Sequence, residues 1–262
     1  MDILLINVES AKERLAFQDK QLSALGLPYQ RLNAITIDEI TPEIINKHYY
    51  DWQRPLRKTE LACYFSHREA WKTIKNNNRP ALILEDDALL STELPEILEK
   101  LSKIENADLV TLEVRSRKKY VGKKPTPLTQ KTQLVRLYQD KTGAAAYVLW
   151  PKGVDKLMQH EKNKGIALAD AFMYSCKKLR LFQIEPAAAL QLDQCENYGL
   201  NLSDKKNLSK STVSSKNKIS REKIFFCKRF AAQINLGIRN IYLSFKSERR
   251  MIKTNSNDFS NF

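Results

Sequence analysis

The run Ala81-Leu82-Ile83-Leu84, ending abruptly in Glu85-Asp86-Asp87, constrains this chain more than any other stretch. A strand apolar on both faces has to be covered on both, which places it inside a parallel or mixed sheet, and in such sheets ligands gather at the carboxyl ends of the strands. Three carboxylates at such an end repel one another unless a cation or water relieves them. Hard divalent cations take oxygen ligands, often together with the phosphates of a substrate. A metal bridging these carboxylates and a nucleotide diphosphate is one reading. The other is an acidic turn in which Asp86 or Asp87 caps a helix starting at Ala88 and Leu89.

Ile3 to Val8 predicts a first strand, Ser10 an N-cap, and Ala11 to Leu25 a helix stopped by Gly26. Further strands are predicted at Tyr29 to Ala34, Leu109 to Val114, Ala144 to Trp150 and Leu179 to Glu185, with helical segments between them. The alternation predicts an α/β fold with a mostly parallel central sheet. In Thr59 to Trp71, a helix predicted to be capped by Thr59, Glu60, Cys63, His67 and Ala70 share one face and Leu61, Phe65 and Arg68 another. His67 is then either a functional group or a satisfied, partly buried polar side chain.

Charge divides the chain. From 201 to 262 there are 14 Lys/Arg against 4 Asp/Glu, so +10 of the total +14 lies there, and the first 200 residues carry 30 against 26. The predicted organisation is a main domain at 1–200, a Ser/Lys/Asn-rich linker at 201–220 and a basic amphipathic helical tail at 221–262. In the tail Ile224, Cys227, Phe230, Ile234, Ile238, Ile241 and Phe245 recur at helical spacing, with Lys228, Arg239, Lys246, Arg249 and Arg250 between or after them. Such a helix either lies on an anionic membrane surface or packs its stripe on the main domain or on a second protomer in a homo-oligomer. Nucleic acid is not an expected partner, because the charge sits in one tail without RNA-binding aromatic motifs or a DNA-reading helix.

No G-x-G-x-x-G follows the first strand, and no G-x-x-x-x-G-K-[ST] or G-x-S-x-G occurs, so phosphate charge has to be met by metal and basic side chains. Cys63, Cys176, Cys195 and Cys227 form no C-x-x-C pair and read as reduced thiols of a cytosolic protein. The apolar run Ile3 to Ile6 reads as neither signal peptide nor membrane span, and no later stretch reaches roughly 20 apolar residues, so any membrane contact is expected to be peripheral.

The phrase T-E-L-A-C-Y-F-S-H-R-E-A-W, followed by A-L-I-L-E-D-D-A, closely resembles the signature of glycosyltransferase family 25, the bacterial lipooligosaccharide β-galactosyltransferase-like proteins. I-N-V-E-S-A-K-E-R, T-G-A-A-A-Y-V-L-W-P-K-G and A-D-A-F-M resemble other segments of that family in the expected order, over residues 1–195. Ala144-Ala145-Ala146 and Trp150 depart from the family pattern, which bears on which sugar and acceptor are used.

The resemblance implies a GT-A-type fold and an inverting hexosyltransferase. Its expected donor is a UDP-sugar, galactose before glucose, and its acceptor a lipid-linked oligosaccharide of lipopolysaccharide or lipooligosaccharide. It implies a divalent metal, Mn2+ favoured over Mg2+, and a cytoplasmic location, peripheral on the inner face of the bacterial cytoplasmic membrane. Carried onto this chain, Asp87 is the leading metal ligand, with Asp86 joining it, or Asp86 or Glu85 meeting the ribose or a metal-bound water. Asn7 and Arg14 fall beside the nucleotide, and Glu60, Ser66 and His67 support the donor pocket. Inversion needs one base opposite the leaving group. Asp170 is the candidate, with a helix N-cap as its other reading, and Glu113 is the competing carboxylate. Two other functions stay open: an aspartate-nucleophile phosphotransferase or phosphatase, although no D-x-D-x-T occurs at the triplet, and a non-catalytic basic binding protein.

Overall fold

The strand ending in the acidic triplet lies in the middle of a large sheet, covered on both faces as its composition requires. The computed structural model describes residues 1–200, Leu208 and 222–259. Its first half runs β1 (Asp2–Asn7), α1 (Lys12–Ala24), β2 (Gln30–Asn33), α2 (Pro42–Lys47), α3 (Lys58–Asn77) and β3 (Ala81–Glu85). There follow β4 (Ala88–Leu90), α4 (Leu94–Leu101), β5 (Leu109–Thr111), β6 (Glu113–Val114), β7 (Lys119–Val121), β8 (Thr126–Pro127), β9 (Gln133–Gln139) and β10 (Ala146–Leu149). The chain continues through α5 (Pro151–Lys164), α6 (Ala169–Ser175), β11 (Leu181–Glu185), β12 (Ala189–Gln191), a short 3-10 helix (Leu192–Tyr198), α7 (Lys223–Lys246) and β13 (Glu248–Arg250).

The main sheet has the order β13-β7-β9-β11-β5-β10-β3-β1-β2, with β8 also on β9. Strands β2, β1, β3, β5 and β11 run one way and only β10 opposes them within this group, which gives the mixed α/β fold with a mostly parallel centre expected from the sequence. Period-2 alternation sends Leu82 and Leu84 to one face, with Leu22 of α1 and Ile97 and Leu101 of α4, and Ile83 to the other, with Trp71, Leu157 and Phe172.

Several local expectations need correction. The acidic turn leads into a strand, because Ala88–Leu90 pair with β12, so neither Asp86 nor Asp87 caps a helix. Ser10 caps nothing: the turn into α1 closes through Ala11 N–H on Val8 O at 2.9 Å. Helix α3 starts one residue before Thr59, and its first turn is held by Glu60, whose carboxylate accepts the Arg57 N–H at 2.9 Å. The strand predicted from Leu109 to Val114 breaks at Leu112. There the N–H still donates to Ala146 in the main sheet, while the carbonyl accepts from Ala188 and Ala189. The chain thereby passes into a second, three-stranded sheet, β4-β12-β6.

The predicted linker, Leu208 apart, lies outside the described residues. The tail yields the expected helix, α7, but the chain then returns to the main sheet: β13 pairs antiparallel with β7, and Ile252 and Phe259 join the core. Among the described residues no helix is long and apolar enough to cross a membrane, and the four cysteines are free thiols.

Two substitutions test this framework. A Cβ on Gly153 would stand 2.4 Å from the Asp108 carbonyl oxygen, which also accepts the Trp150 N–H and cannot easily retreat. The ~1 kcal/mol that alanine gains in helix propensity is outweighed by overpacking of ~1–3 kcal/mol, and urea denaturation should show Gly153→Ala destabilised. Unchanged or higher stability would mean that α5 backs away freely.

Burial alone would raise the Glu60 pKa, but hydrogen bonds from Arg54 and Arg57 outweigh it and hold it at about 2. A depressed carboxylate stabilises the fold above its ordinary pKa of 4.5 and loses that contribution as the pH falls through about 2. Glu60→Gln should therefore cost about 2 kcal/mol at neutral pH, with the gap to the parent closing as the pH is lowered from 4.5. A gap independent of pH would exclude the ion pairs as its cause.

Candidate active site

The carboxyl ends of β1 and β3 open into a cavity of about 900 Å³, within the size range of nucleotide-sized ligands. Its wall is built from Ala11 and Arg14 at the start of α1, the segment 34–38 after β2, one face of α3 (Thr59, Glu60, Ala62, Cys63, Ser66, His67), the triplet Glu85–Asp87, Arg115, Gly143, Ala144, 168–170 and Gln191. The helical face that the sequence spacing assigns to Glu60, Cys63 and His67 is thus the one that faces the cavity.

The acidic turn is held by its backbone and its side chains. Gln18 and Gln21, both fully buried on α1, donate to the Ala88 carbonyl at 2.7 and 3.1 Å, and Gln18 also reaches Asp86 O at 3.2 Å. Gln21 Oε1 accepts Leu90 N–H at 2.9 Å, and Asp87 O accepts Leu192 N–H at 3.0 Å. Asp86 is bound by Asn7 Nδ2 at 2.7 Å and by Arg14 at 3.0 Å, and Asn7 in turn accepts from Arg31 at 3.0 Å. Asn7 therefore orients Asp86 from behind the wall, whereas Arg14 lines the cavity. Burial raises the Asp86 pKa against the pull of Arg14.

Asp87 has the least protein compensation, a Gln191 contact of 3.5 Å. Burial, followed by the charge of Glu85, pushes its pKa up to about 7. A set of hard carboxylate oxygens, with one crowded enough to hold its proton near neutrality, fits a hard divalent cation.

Glu85 is fixed at both oxygens. Gln191 Nε2 donates to Oε2 at 3.2 Å and His67 Nε2 contacts Oε1 at 2.9 Å. The His67 tautomer follows from its neighbours: Trp71 Nε1–H can only donate, and it donates to the Tyr147 hydroxyl at 2.8 Å. That leaves the phenol hydrogen for His67 Nδ1, 2.9 Å away, so Nε2 carries the hydrogen given to Glu85. Cys63, His67 and Glu85 place ligand atoms within 4.8 Å of one another. Both His67 nitrogens are already committed, and burial raises the Cys63 thiol well above its usual value, so hydrogen bonding accounts for this cluster.

Asp170 stands in the first turn of α6, two residues after the N-cap Leu168, so it is not the cap itself. It lines the cavity, and its carboxylate accepts Ala171 N–H at 2.6 Å and Gly143 N–H at 3.4 Å, while burial raises its pKa. Glu113 is not brought to the wall. Its Oε1 accepts Ala145 N–H at 2.6 Å, Gly143 packs against its carboxyl group, and burial with the charge of Glu85 lifts its pKa to about 8. Ser66 reaches the cavity but serves the backbone, accepting Ile35 N–H and donating to Ala62 O, each at 2.8 Å.

Sequence reasoning missed Gln191 and Arg115. Arg115 hydrogen-bonds Gln191 and pairs with Asp193 at 2.8 Å. A signal existed for Gln191: it ends the apolar run Ala187 to Leu190, repeating the pattern of the triplet. Gln18 and Gln21 carry no such mark, because glutamine is at home on a helix surface.

The profile of glycosyltransferase family 25, described as an LPS biosynthesis protein family, matches residues 1–173. The lipooligosaccharide biosynthesis protein lic2B of Haemophilus influenzae is 25% identical over 202 residues, covering 72% of this chain and 75% of its own. Among solved structures, the inositol-1-phosphate CTP transferase of T. maritima aligns with a TM-score of 0.42 and 11% identity over 82% of this chain and 98% of that one. The mannose-1-phosphate geranyltransferase of Thermus thermophilus aligns with a TM-score of 0.38 and 11% identity over 72% and 73%. With well over half of its residues matching the family profile, the chain belongs to glycosyltransferase family 25.

Proposed function

We propose that this glycosyltransferase moves a hexose from a UDP-sugar, galactose before glucose, onto a lipopolysaccharide or lipooligosaccharide acceptor with inversion at the anomeric carbon. The observation that carries this reading is the convergence of the Glu85–Asp87 turn and a separate carboxylate, Asp170, on one cavity of a family 25 chain. The name of the Haemophilus influenzae relative supports the acceptor class. Family membership favours sugar transfer over the phosphotransferase and the non-catalytic binding readings.

Asp87, with Glu85 and Asp86 beside it, would hold Mn2+ or Mg2+, and a bound cation supplies Lewis-acid neutralisation of the donor diphosphate. Arg14 and Arg115 add positive charge at the same wall. Asp170 acts as the base. It accepts the proton of the acceptor hydroxyl as that oxygen bonds to the anomeric carbon, while the bond from that carbon to the diphosphate breaks and its electron pair leaves with UDP. The burial that raises the Asp170 pKa moves it toward working pH, and the Gly143 and Ala171 N–H groups fix its direction. Ala144, small and at the wall, leaves room for the sugar.

Purified protein given UDP-galactose, UDP-glucose and UDP-N-acetylhexosamines should release UDP from one donor with Mn2+ and not with chelator. Asp87→Asn should abolish release. Asp170→Asn should lower transfer by about 10²- to 10⁴-fold while UDP binding by calorimetry persists. Full activity in Asp170→Asn would remove it as the base, and activity in chelator would remove the cation.

Tyr147→Phe takes the hydrogen from His67 Nδ1 and the acceptor from Trp71. We expect about a tenfold lower kcat with donor KM within about twofold, together with a loss of about 1–3 kcal/mol in stability. Equal turnover in a destabilised protein would make the Trp71–Tyr147–His67 chain purely structural.

A further inference from the structure

Helix α7 is amphipathic in the unusual sense that its apolar stripe faces away from the protein. Phe225 and Leu243, on its inner side, are buried, and Phe225 packs on the rings of Tyr49 and Tyr50. On the opposite side Phe226, Phe230, Ile234, Ile238, Ile241 and Phe245 follow one another at intervals of three or four residues, and Phe245 is 80% exposed. Single exposed apolar residues need no explanation, but a continuous stripe from Phe226 to Phe245, roughly 28 Å at about 1.5 Å per residue, does.

The occupant is constrained by charge. Between Lys223 and Lys246 there are five basic residues, Lys223, Lys228, Arg229, Arg239 and Lys246, and no acidic one. Lys228, Arg229 and Arg239 donate to the backbone carbonyls of Tyr50, Gln53 and Tyr138, and Lys246 lies over the rings of Tyr138 and Tyr242. These uncharged partners fix the side chains without cancelling their charge. Glu222 and Glu248 flank the helix ends. A second copy docking through the same stripe would set two cationic helices against each other. A bilayer with anionic headgroups meets both demands, since its acyl boundary takes the apolar face and its negative surface potential attracts the uncompensated positive charge of the helix.

We propose that the outer face of α7 docks this enzyme on an anionic lipid bilayer, with the helix lying in the interface. The stretch α7 grips, Tyr50 to Gln53, continues into Arg54, which pairs with Glu60 on the cavity wall at 2.7 Å. Docking therefore fixes the protein to the membrane close to one wall of the cavity. On the reading of a lipid-linked acceptor, this delivers the acceptor to the site. The docking itself stands on the helix alone.

The test is flotation of the full chain with vesicles of phosphatidylcholine, or of phosphatidylcholine with roughly a third phosphatidylglycerol, without donor or acceptor. The parent should float with the anionic vesicles at least about tenfold more strongly than with neutral ones, and less so as salt is raised. The Phe230→Glu/Ile238→Glu variant, altered only at exposed positions, should keep its melting temperature and lose about tenfold or more of the binding. Equal binding by parent and variant, or none by either, would overturn the proposal. So would a dimer in solution that the double substitution dissociates, since the occupant would then be a second copy. Vesicle binding is read without turnover, so its failure leaves the transferase reading standing, and an inactive protein that still floats leaves the docking standing.

Discussion

Three consecutive carboxylates at the end of a buried strand are an unfavourable arrangement, and much of this structure is organised around containing it. Desolvation and mutual repulsion both act to protonate such groups. Two of the three are met by separate elements: Asp86 by Asn7 and Arg14 from the β1–α1 region, and Glu85 by His67 from α3 and Gln191 from β12. Asp87 is left with a long contact to Gln191 and a pKa pushed up to about 7. The uneven distribution leaves Asp87 the least compensated of the three.

The fold supplies these partners through a change of sheet. At Leu112 the chain leaves the main sheet, and β6, β12 and β4 form a small second sheet that brings Gln191 and Arg115 to the acidic turn. Buried glutamines of α1 hold the backbone of that turn, so its side chains are aimed by a rigid helix and two sheets rather than by a loop. The same economy of space governs the far wall, where Gly143 accommodates the Glu113 carboxyl group behind it and offers its N–H to Asp170 in front.

The parts of this legible in the sequence were those carried by period and contrast. The apolar run before Glu85, the face shared by Glu60, Cys63 and His67, and the helical spacing from Ile224 to Phe245 each reappear in the structure because burial enforces them. Capping was read less well. Ser10 and Thr59 carry the right side chains, yet Ala11 N–H is satisfied by Val8 and the start of α3 by Glu60, since tertiary partners outcompete a local hydroxyl. The short strands β4, β7, β8, β12 and β13 hold two or three residues each, too few for any period to register. Gln191 gains its meaning from long-range pairing with Asp87 and Glu85, information that no local window contains.

The proposed function has the end of β3 hold a divalent cation through Asp87. Electron paramagnetic resonance of Mn2+ titrated into the full chain with UDP present tests it without requiring the correct sugar or acceptor. One bound Mn2+ per chain is expected, lost in Asp87→Asn and weakened as the pH falls below about 7, where the carboxyl group regains its proton. Binding that is absent, or that survives unchanged in Asp87→Asn, would contradict it.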